Sequence, residues 1–312
     1  MWTNYYTVSS LDEAMHLLAE HGEGARIIAG GTDILLELER GVRPGVDTLV
    51  DVTRVPELDH ISRNNEGIIT LGALVTHNQC VGSKLIAEQA WPLAQACWEV
   101  GAPQIRNRAT IAGNVVTASP ANDTIAPLMA LDASVKLQSV LTERIVPLQE
   151  FFSGVRKTVM RSDELITAIM FPALGDDERG MFIKLGLRKA QAISIVDVAI
   201  VLQWEVTTDG LMCRNVRIAL GAVAPTILRA ADTETFLEGK VLDDSVMEQA
   251  AELAAKASRP IDDLRGSADY RREMVRVIVL RALRAIRDGD TQGWCPKDPV
   301  MLWGCHEGRP AC

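Results

Sequence analysis

Apolar positions recur every three or four residues from Leu11 to about His21, with Leu11, Met15 and Leu18 along one stripe, which predicts an amphipathic helix. Ser9 and Ser10 stand before it as caps, and Gly22 and Gly24 stop it. Arg26–Ala29 then reads as a short strand that runs into Gly30-Gly31-Thr32-Asp33, and a helical pattern follows from Ile34 to about Arg40. Thr48–Val52 is a second strand, and Ile68–Leu71 is one arm of a hairpin after Asn64-Asn65. Lys84–Val100 has helical spacing, interrupted by Pro92, which must kink or restart it.

The middle third is strand-rich. Ala133–Leu137, Thr142–Pro147 and Glu164–Phe171 are short apolar alternations, and Phe182–Arg188, Ile193–Glu205 and Val216–Leu220 follow them. The final third turns helical over Thr226–Leu237, Asp244–Ala257 and Ala268–Arg287. A charged turn at Gly175-Asp176-Asp177-Glu178 separates two apolar runs and marks a candidate boundary. Strands followed by a run of helices argue for a two-lobed α+β architecture.

Composition narrows the function. A length of 312 residues corresponds to about two domains. With 32 Lys plus Arg against 41 Asp plus Glu, the net charge of −9 is a poor match to a phosphate backbone, so generic nucleic-acid binding is not expected. Apolar runs fall short of the roughly 18 residues of a membrane span, and the first residues lack the basic and apolar regions of a signal peptide. A cytoplasmic location is therefore expected, where the six cysteines do not form a disulfide framework. The five histidines show no metal-ligand spacing. The Arg-rich stretch Tyr270–Arg287 reads as a helix with one packed face and one basic face turned to solvent or a partner.

Two segments carry chemistry. In Ile27–Asp33, IIAGGTD, a strand ends in paired glycines before a helix start, which suits an anion cradle. It also suits a plain tight turn capped by Thr32 or Asp33. In Arg108–Asp132, Thr110-Ile111-Ala112-Gly113-Asn114 puts small residues where backbone can close on a ligand, and Asn114 offers both donor and acceptor. Asp123 follows in a turn, placed either to start the helix Thr124–Leu131 or to accept hydrogen bonds from ligand hydroxyls.

Taken in order, AGGTD at 29–33, GAPQIRNRATIAGNV at 101–115, ASPANDTIAPLMALDA at 118–133, FIKLGLRKAQAISIVDVAI at 182–200 and LGAVAPT at 220–226 resemble the FAD-binding medium subunit of the molybdenum hydroxylases. This is the family of the xanthine dehydrogenase flavin domain and the carbon monoxide dehydrogenase medium subunit. The resemblance implies a two-lobed FAD-binding domain of the vanillyl-alcohol-oxidase/PCMH-like type over 1–175, with lobes of about 1–55 and 56–175. It implies a small sheet-plus-helices domain over 176–289 and leaves 290–312 as an extension. By the same resemblance, Ala29, Gly30, Gly31, Thr32 and Asp33, with Ile28 and Ile34 beside them, wrap the FAD pyrophosphate. Thr110, Ala112, Gly113 and Asn114 form a second FAD loop, in which Ala112 stands where a glycine is usual. Asp123 contacts the sugar-like chain or ribose, and Lys184 and Arg188 are basic positions flanking the flavin.

The resemblance further implies a heterotrimer with a large subunit bearing a molybdopterin-type cofactor and a small subunit bearing [2Fe–2S] clusters, and allows a dimer of heterotrimers. Electrons would pass through FAD in this chain to NAD, a quinone, a ferredoxin or oxygen, with no catalytic acid or base needed here. The rival readings are a self-contained FAD-dependent oxidase or reductase of the same fold and a scaffold that has lost FAD. Gln104, Arg106 and Arg108 could be adjacent to FAD or touch a partner. The extension holds Trp294, Trp303, Cys295, Cys305 and Cys312; its expected role is packing on a partner, without a metal.

Overall fold

The computed structural model describes residues 2–208 and 210–289. Lobe 1 is a three-stranded parallel sheet, order β1–β3–β2, built from β1 (Asn4–Thr7), β2 (Ala25–Ile28) and β3 (Thr48–Asp51). Helix α1 (Leu11–His21) begins where the Ser10 hydroxyl accepts from the Glu13 amide at 3.2 Å. It buries Ala14, Met15 and Leu18 and ends at Gly22, whose φ of 51° favours a residue without a Cβ. Helix α2 (Ile34–Glu39) follows the glycine turn. Strand β1 was not expected from the sequence: three of its four side chains are exposed, so it carries no alternation and owes its form to pairing with distant β3.

Lobe 2 is a five-stranded antiparallel sheet, order β4–β5–β10–β6–β7. Its strands are β4 (Ile61–Arg63), β5 (Ile68–Gly72), β6 (Ser134–Gln138), β7 (Glu143–Pro147) and β10 (Leu165–Pro172). Helices α3 (His77–Val81), α4 (Lys84–Gln89), α5 (Trp91–Glu99), α6 (Pro103–Arg106), α7 (Ile111–Thr117), α8 (Ile125–Ala130) and α9 (Leu148–Phe151) lie between β5 and a small hairpin, β8 (Phe152–Gly154) and β9 (Lys157–Thr158). The expected helix over 84–100 is two helices. Ala90 breaks the chain at φ −151°, ψ 42°, and Pro92 sits in the first turn of α5, where its missing N–H leaves no helical bond unmade. Pro92 is therefore a restart.

The C-terminal domain is a four-stranded antiparallel sheet of β11 (Glu178–Leu185), β12 (Val196–Thr207), β13 (Gly210–Gly221) and β14 (Leu228–Arg229). Helices α10 (Ala231–Leu237), α11 (Asp244–Ala257) and α12 (Ala268–Asp288) cover one face. Phe182, Ala199, Val201 and Ala219 point from the other face into the lobe 2 core. Burial on both faces explains the unbroken run of buried residues from Val196 to Leu202. A polar seam reinforces this junction: Arg217 reaches Asp132 at 3.2 Å and Glu178 at 2.5 Å, and Arg229 reaches Asp132 at 2.8 Å.

Several boundaries differ from expectation: β11 starts at Glu178 where Phe182 was expected, and β13 at Gly210 where Val216 was expected. The helix expected from Thr226 begins at Ala231, because Leu228 and Arg229 pair with Leu220 and Ala219 as an edge strand. The strand expected to reach Arg188 stops at Leu185, and the one expected from Ile193 starts at Val196. Residues 186–192 form a loop in which the Arg188 guanidinium donates to the carbonyls of Ala190 (3.0 Å) and Gln191 (2.6 Å). The extension 290–312, with its expected partner contact and absence of metal, lies outside the described residues.

Candidate functional site

A cleft of about 870 Å³ runs between lobe 1 and lobe 2, near the upper end of the roughly 300–1,000 Å³ typical of small-molecule sites. Its wall includes Ala29, Gly30, Gly31, Thr32, Asp33 and Ile34 from the first turn, Thr110, Ala112, Gly113 and Asn114 from the second, and Asp123. Ile28, Lys184 and Arg188 are not on that wall. Ile28 is buried at the end of β2 beneath Gly31.

The first turn is built for a ligand with bare acceptors. Strand β2 delivers the chain to the cleft edge, and α2 takes it away. Among the described residues, nothing accepts a hydrogen bond from the amides of Gly30, Gly31 or Thr32. Clustered unpaired N–H groups form an anion-binding concavity. Neither Thr32 nor Asp33 caps α2 with its side chain, so the plain capped turn is not what forms here. The two glycines have different reasons. A Cβ on Gly30 would collide with the carbonyl of Arg108, so Gly30 is the point at which the first turn rests on the backbone leading to the second. Gly31 has φ +75°, a left-handed conformation that costs other residues about 1–2 kcal/mol. Burial raises the pKa of the Asp33 carboxyl, and the charge of Glu37 adds to the effect.

The second turn looks alike in sequence but engages its Thr110 and Asn114 side chains internally. The Thr110 hydroxyl accepts from the Gly113 amide at 3.0 Å and so caps α7. The Asn114 side-chain oxygen accepts from the Thr124 hydroxyl at 2.6 Å, and its carbonyl accepts from the Asn122 amide group at 2.7 Å. A Cβ on Gly113 would meet the capping hydroxyl of Thr110 at 2.9 Å.

Asp123 starts no helix with its side chain, since Thr124 holds the N-cap position of α8 without a capping bond. Its carboxylate instead receives the Lys184 ammonium at 2.6 Å on one oxygen and the Ser194 hydroxyl at 2.7 Å on the other. Lys184 also donates to the Glu99 carbonyl at 3.1 Å. Burial pushes the Asp123 carboxyl up, opposed by the Lys184 charge. The C-terminal domain thus lines the cleft with Gln191, Ala192 and Ile193 and acts on Asp123 through Lys184 and Ser194.

At the rim the sequence reading missed a charged group. Glu37 on α2 pairs with Arg43 at 2.9 Å and with Arg156, in the turn between β8 and β9, also at 2.9 Å. All three line the cleft, as does Lys157, which makes no ion pair among the described residues. Glu37 and Arg156 stand 119 positions apart, so no local spacing could have announced them. His77, at the base of the cleft beside Arg106, is fully buried with neither ring nitrogen hydrogen-bonded, and burial then the Arg106 charge lower its pKa to about 3. A helix start at Thr76 was legible in principle, because Thr76 and Gln79 form a reciprocal capping box. Among the described residues, no group of three or more His, Cys, Asp or Glu is arranged to hold a metal ion, and no helix is long and apolar enough to cross a membrane.

A cleft between two lobes, walled by a glycine turn with free amides and by a clamped carboxylate, defines a protein that holds a phosphate- and hydroxyl-bearing cofactor. Residues 2–174 match the family described as the FAD binding domain in molybdopterin dehydrogenase, and 182–286 match the CO dehydrogenase flavoprotein C-terminal domain. The chain is 33% identical over 282 residues to the carbon monoxide dehydrogenase medium chain of Hydrogenophaga pseudoflava, covering 90% of this chain and 96% of that one. It is 33% identical over 281 residues to the 6-hydroxypseudooxynicotine dehydrogenase complex subunit alpha of Paenarthrobacter nicotinovorans, covering 90% and 93%. The solved structure of the Hydrogenophaga pseudoflava carbon monoxide dehydrogenase superposes with a TM-score of 0.85 at 31% identity, over 91% of this chain and 97% of that one. This chain belongs to the FAD-binding medium subunits of the molybdenum hydroxylases, a family of oxidoreductase components.

Proposed function

We propose that this chain holds FAD in the cleft and passes electrons from [2Fe–2S] clusters on a small partner subunit to an external acceptor. The substrate is oxidised on a large partner that carries a molybdopterin-type cofactor. The observation that carries the reading is the free-amide turn at Gly30–Thr32 in the wall of a cleft large enough for a dinucleotide. FAD has two phosphates and many hydroxyls, and the donors and acceptors present suit both. When bound, FAD can take up electrons one at a time and pass them on singly or as a pair, which would join one-electron clusters to a two-electron acceptor.

This chain's own residues bind and orient. The amides of Gly30, Gly31 and Thr32 donate to the pyrophosphate, with Ile28 and Ile34 framing the turn. Asp123, held still by Lys184 and Ser194, keeps lone pairs for a ligand hydroxyl. Thr110, Ala112, Gly113 and Asn114 form the opposite wall. Lys184 acts through Asp123, and Arg188 acts by shaping the 186–192 loop. No residue of the cleft needs to give or take a proton. The acceptor belongs to the set of NAD, a quinone, a ferredoxin or oxygen, the assembly is a heterotrimer or a dimer of heterotrimers, and the location is the cytoplasm.

The test is spectroscopic. The purified complex carries one FAD per copy of this chain, and its flavin absorbance bleaches without oxygen once its iron–sulfur clusters are reduced. A yellow chain that turns over a small molecule alone supports the self-contained oxidase or reductase instead. A colourless chain that cannot be reconstituted overturns both.

A further inference from the structure

We propose that Arg156 and Glu37 form a clasp across the mouth of the cleft, so that their ion pair controls how fast the bound dinucleotide leaves. The inference rests on the reading that FAD occupies the cleft. Among the described residues, Arg156–Glu37 is the one salt bridge that joins residues 2–55 to the rest of the chain, and both of its members line the cleft. Other contacts between the lobes also line the cleft, among them Asp33 beside the Thr117 hydroxyl. Gly30 rests on the Arg108 carbonyl, and Leu165 packs against Met15, Leu18 and Ala25.

The two halves of the clasp are held differently. Glu37 is buried at 8% exposure, near the end of α2, and its second oxygen is fixed by Arg43. Arg156 projects from the β8–β9 turn with its side chain half exposed and its backbone at φ 54°. Its amide is pinned to the Ala118 carbonyl at 3.0 Å. The backbone anchor is firm while the long side chain can swing. When Arg156 lets go, Arg43 still pairs with Glu37, so opening does not strand that buried carboxylate, although Asp33 loses the nearby Arg156 charge. A buried carboxylate with no second cation would resist opening far more strongly. The released guanidinium faces a cleft that already holds the unpaired Lys157 at its rim, so the open state attracts an incoming anionic ligand. The clasp is a positioning device: Arg156 acts on the dinucleotide by holding α2 and the hairpin together over it.

The experiment uses the holoenzyme and follows the rise of free-FAD fluorescence after dilution, at low salt and at 0.5 M salt. A partly exposed pair of this kind implies about a three- to fivefold faster release in Arg156→Ala at low salt. Salt shortens the screening length to a few ångströms, so release from the wild type accelerates toward that of the variant, while release from the variant barely changes. Arg156→Lys restores slow release in part, and neither substitution shifts the flavin absorbance maximum. Glu37→Gln repeats the salt signature should Arg156→Ala assemble poorly. Equal release rates for wild type, Arg156→Ala and Glu37→Gln, or equal salt dependence in all three, overturn the clasp while leaving FAD in the cleft. A wild-type complex without FAD overturns the underlying reading, and the clasp with it.

Discussion

The two turns that face each other across the cleft are nearly interchangeable as sequences and opposite as structures. Each is a short stretch of small residues with glycine and threonine around a helix start. In the first, the amides of Gly30, Gly31 and Thr32 have no internal acceptor. In the second, Thr110 caps its own helix and Asn114 ties it to Thr124 and Asn122. Both turns line the cleft, with Gly30 touching the Arg108 carbonyl where they meet. They differ in that the first leaves its amides over while the second ties its Thr110 and Asn114 side chains into the chain. A glycine motif therefore indicates a binding site only where its backbone donors are left over, and unused donors are visible only in three dimensions.

The largest expected effect falls on the contact between the turns. Gly30→Ala places a methyl group against the Arg108 carbonyl, backbone against backbone with nowhere to move. The expected result is a loss of several kcal/mol, in the exceptional range for a single substitution, seen as a collapsed thermal midpoint together with lost flavin. A variant with wild-type stability would show that the turns do not lean on one another.

A smaller effect is expected from His77, whose backbone amide donates to the Ala109 carbonyl beneath the second turn. Its folded pKa is held at about 3, against 6.5 for the free side chain, so the unfolded chain takes up a proton that the folded chain refuses. The corresponding stability is whole above pH 6.5 and is lost as pH falls toward 3, at up to about 1.4 kcal/mol per pH unit. Urea unfolding at several pH values in this window reads the slope. His77→Leu flattens it relative to the wild type, whereas parallel curves would mean that His77 is protonated or solvated in the folded chain.

What could be read in advance follows the range of the interactions. Helix α1 was legible because its stripe, its Ser10 cap and its Gly22 stop are all local. Strand β1 was not, since its pattern is exposed and its partner lies more than forty residues on, at Thr48–Asp51. Helix α7 was missed because Gly113, Val115, Val116 and Thr117 are poor helix formers, and its form comes from the Thr110 cap and from the burial of Ile111 and Val115. In the site, eleven residues chosen from the sequence line the cleft, because segment order identified them. Lys184 was read as flanking the flavin, yet its ammonium is engaged by Asp123 and the Glu99 carbonyl. The Glu37–Arg156 pair was invisible, as β1 was, because its members are far apart in sequence and meet only in the folded chain.

The central claim is that the first turn holds the cofactor and the second supports it, and flavin content per chain tests this most directly. Gly31→Val puts a β-branched side chain at φ +75° in the amide-bearing turn, while Asn114→Ala removes the bond from Thr124 in the supporting one. FAD released by acid is then counted per copy of this chain in each purified complex. The account predicts one FAD in the wild type and close to none in Gly31→Val, whose complex still assembles. Asn114→Ala keeps a full complement of FAD and loses about 1–2 kcal/mol of stability. Full flavin in Gly31→Val, or an Asn114→Ala complex that is stable but empty, would contradict it.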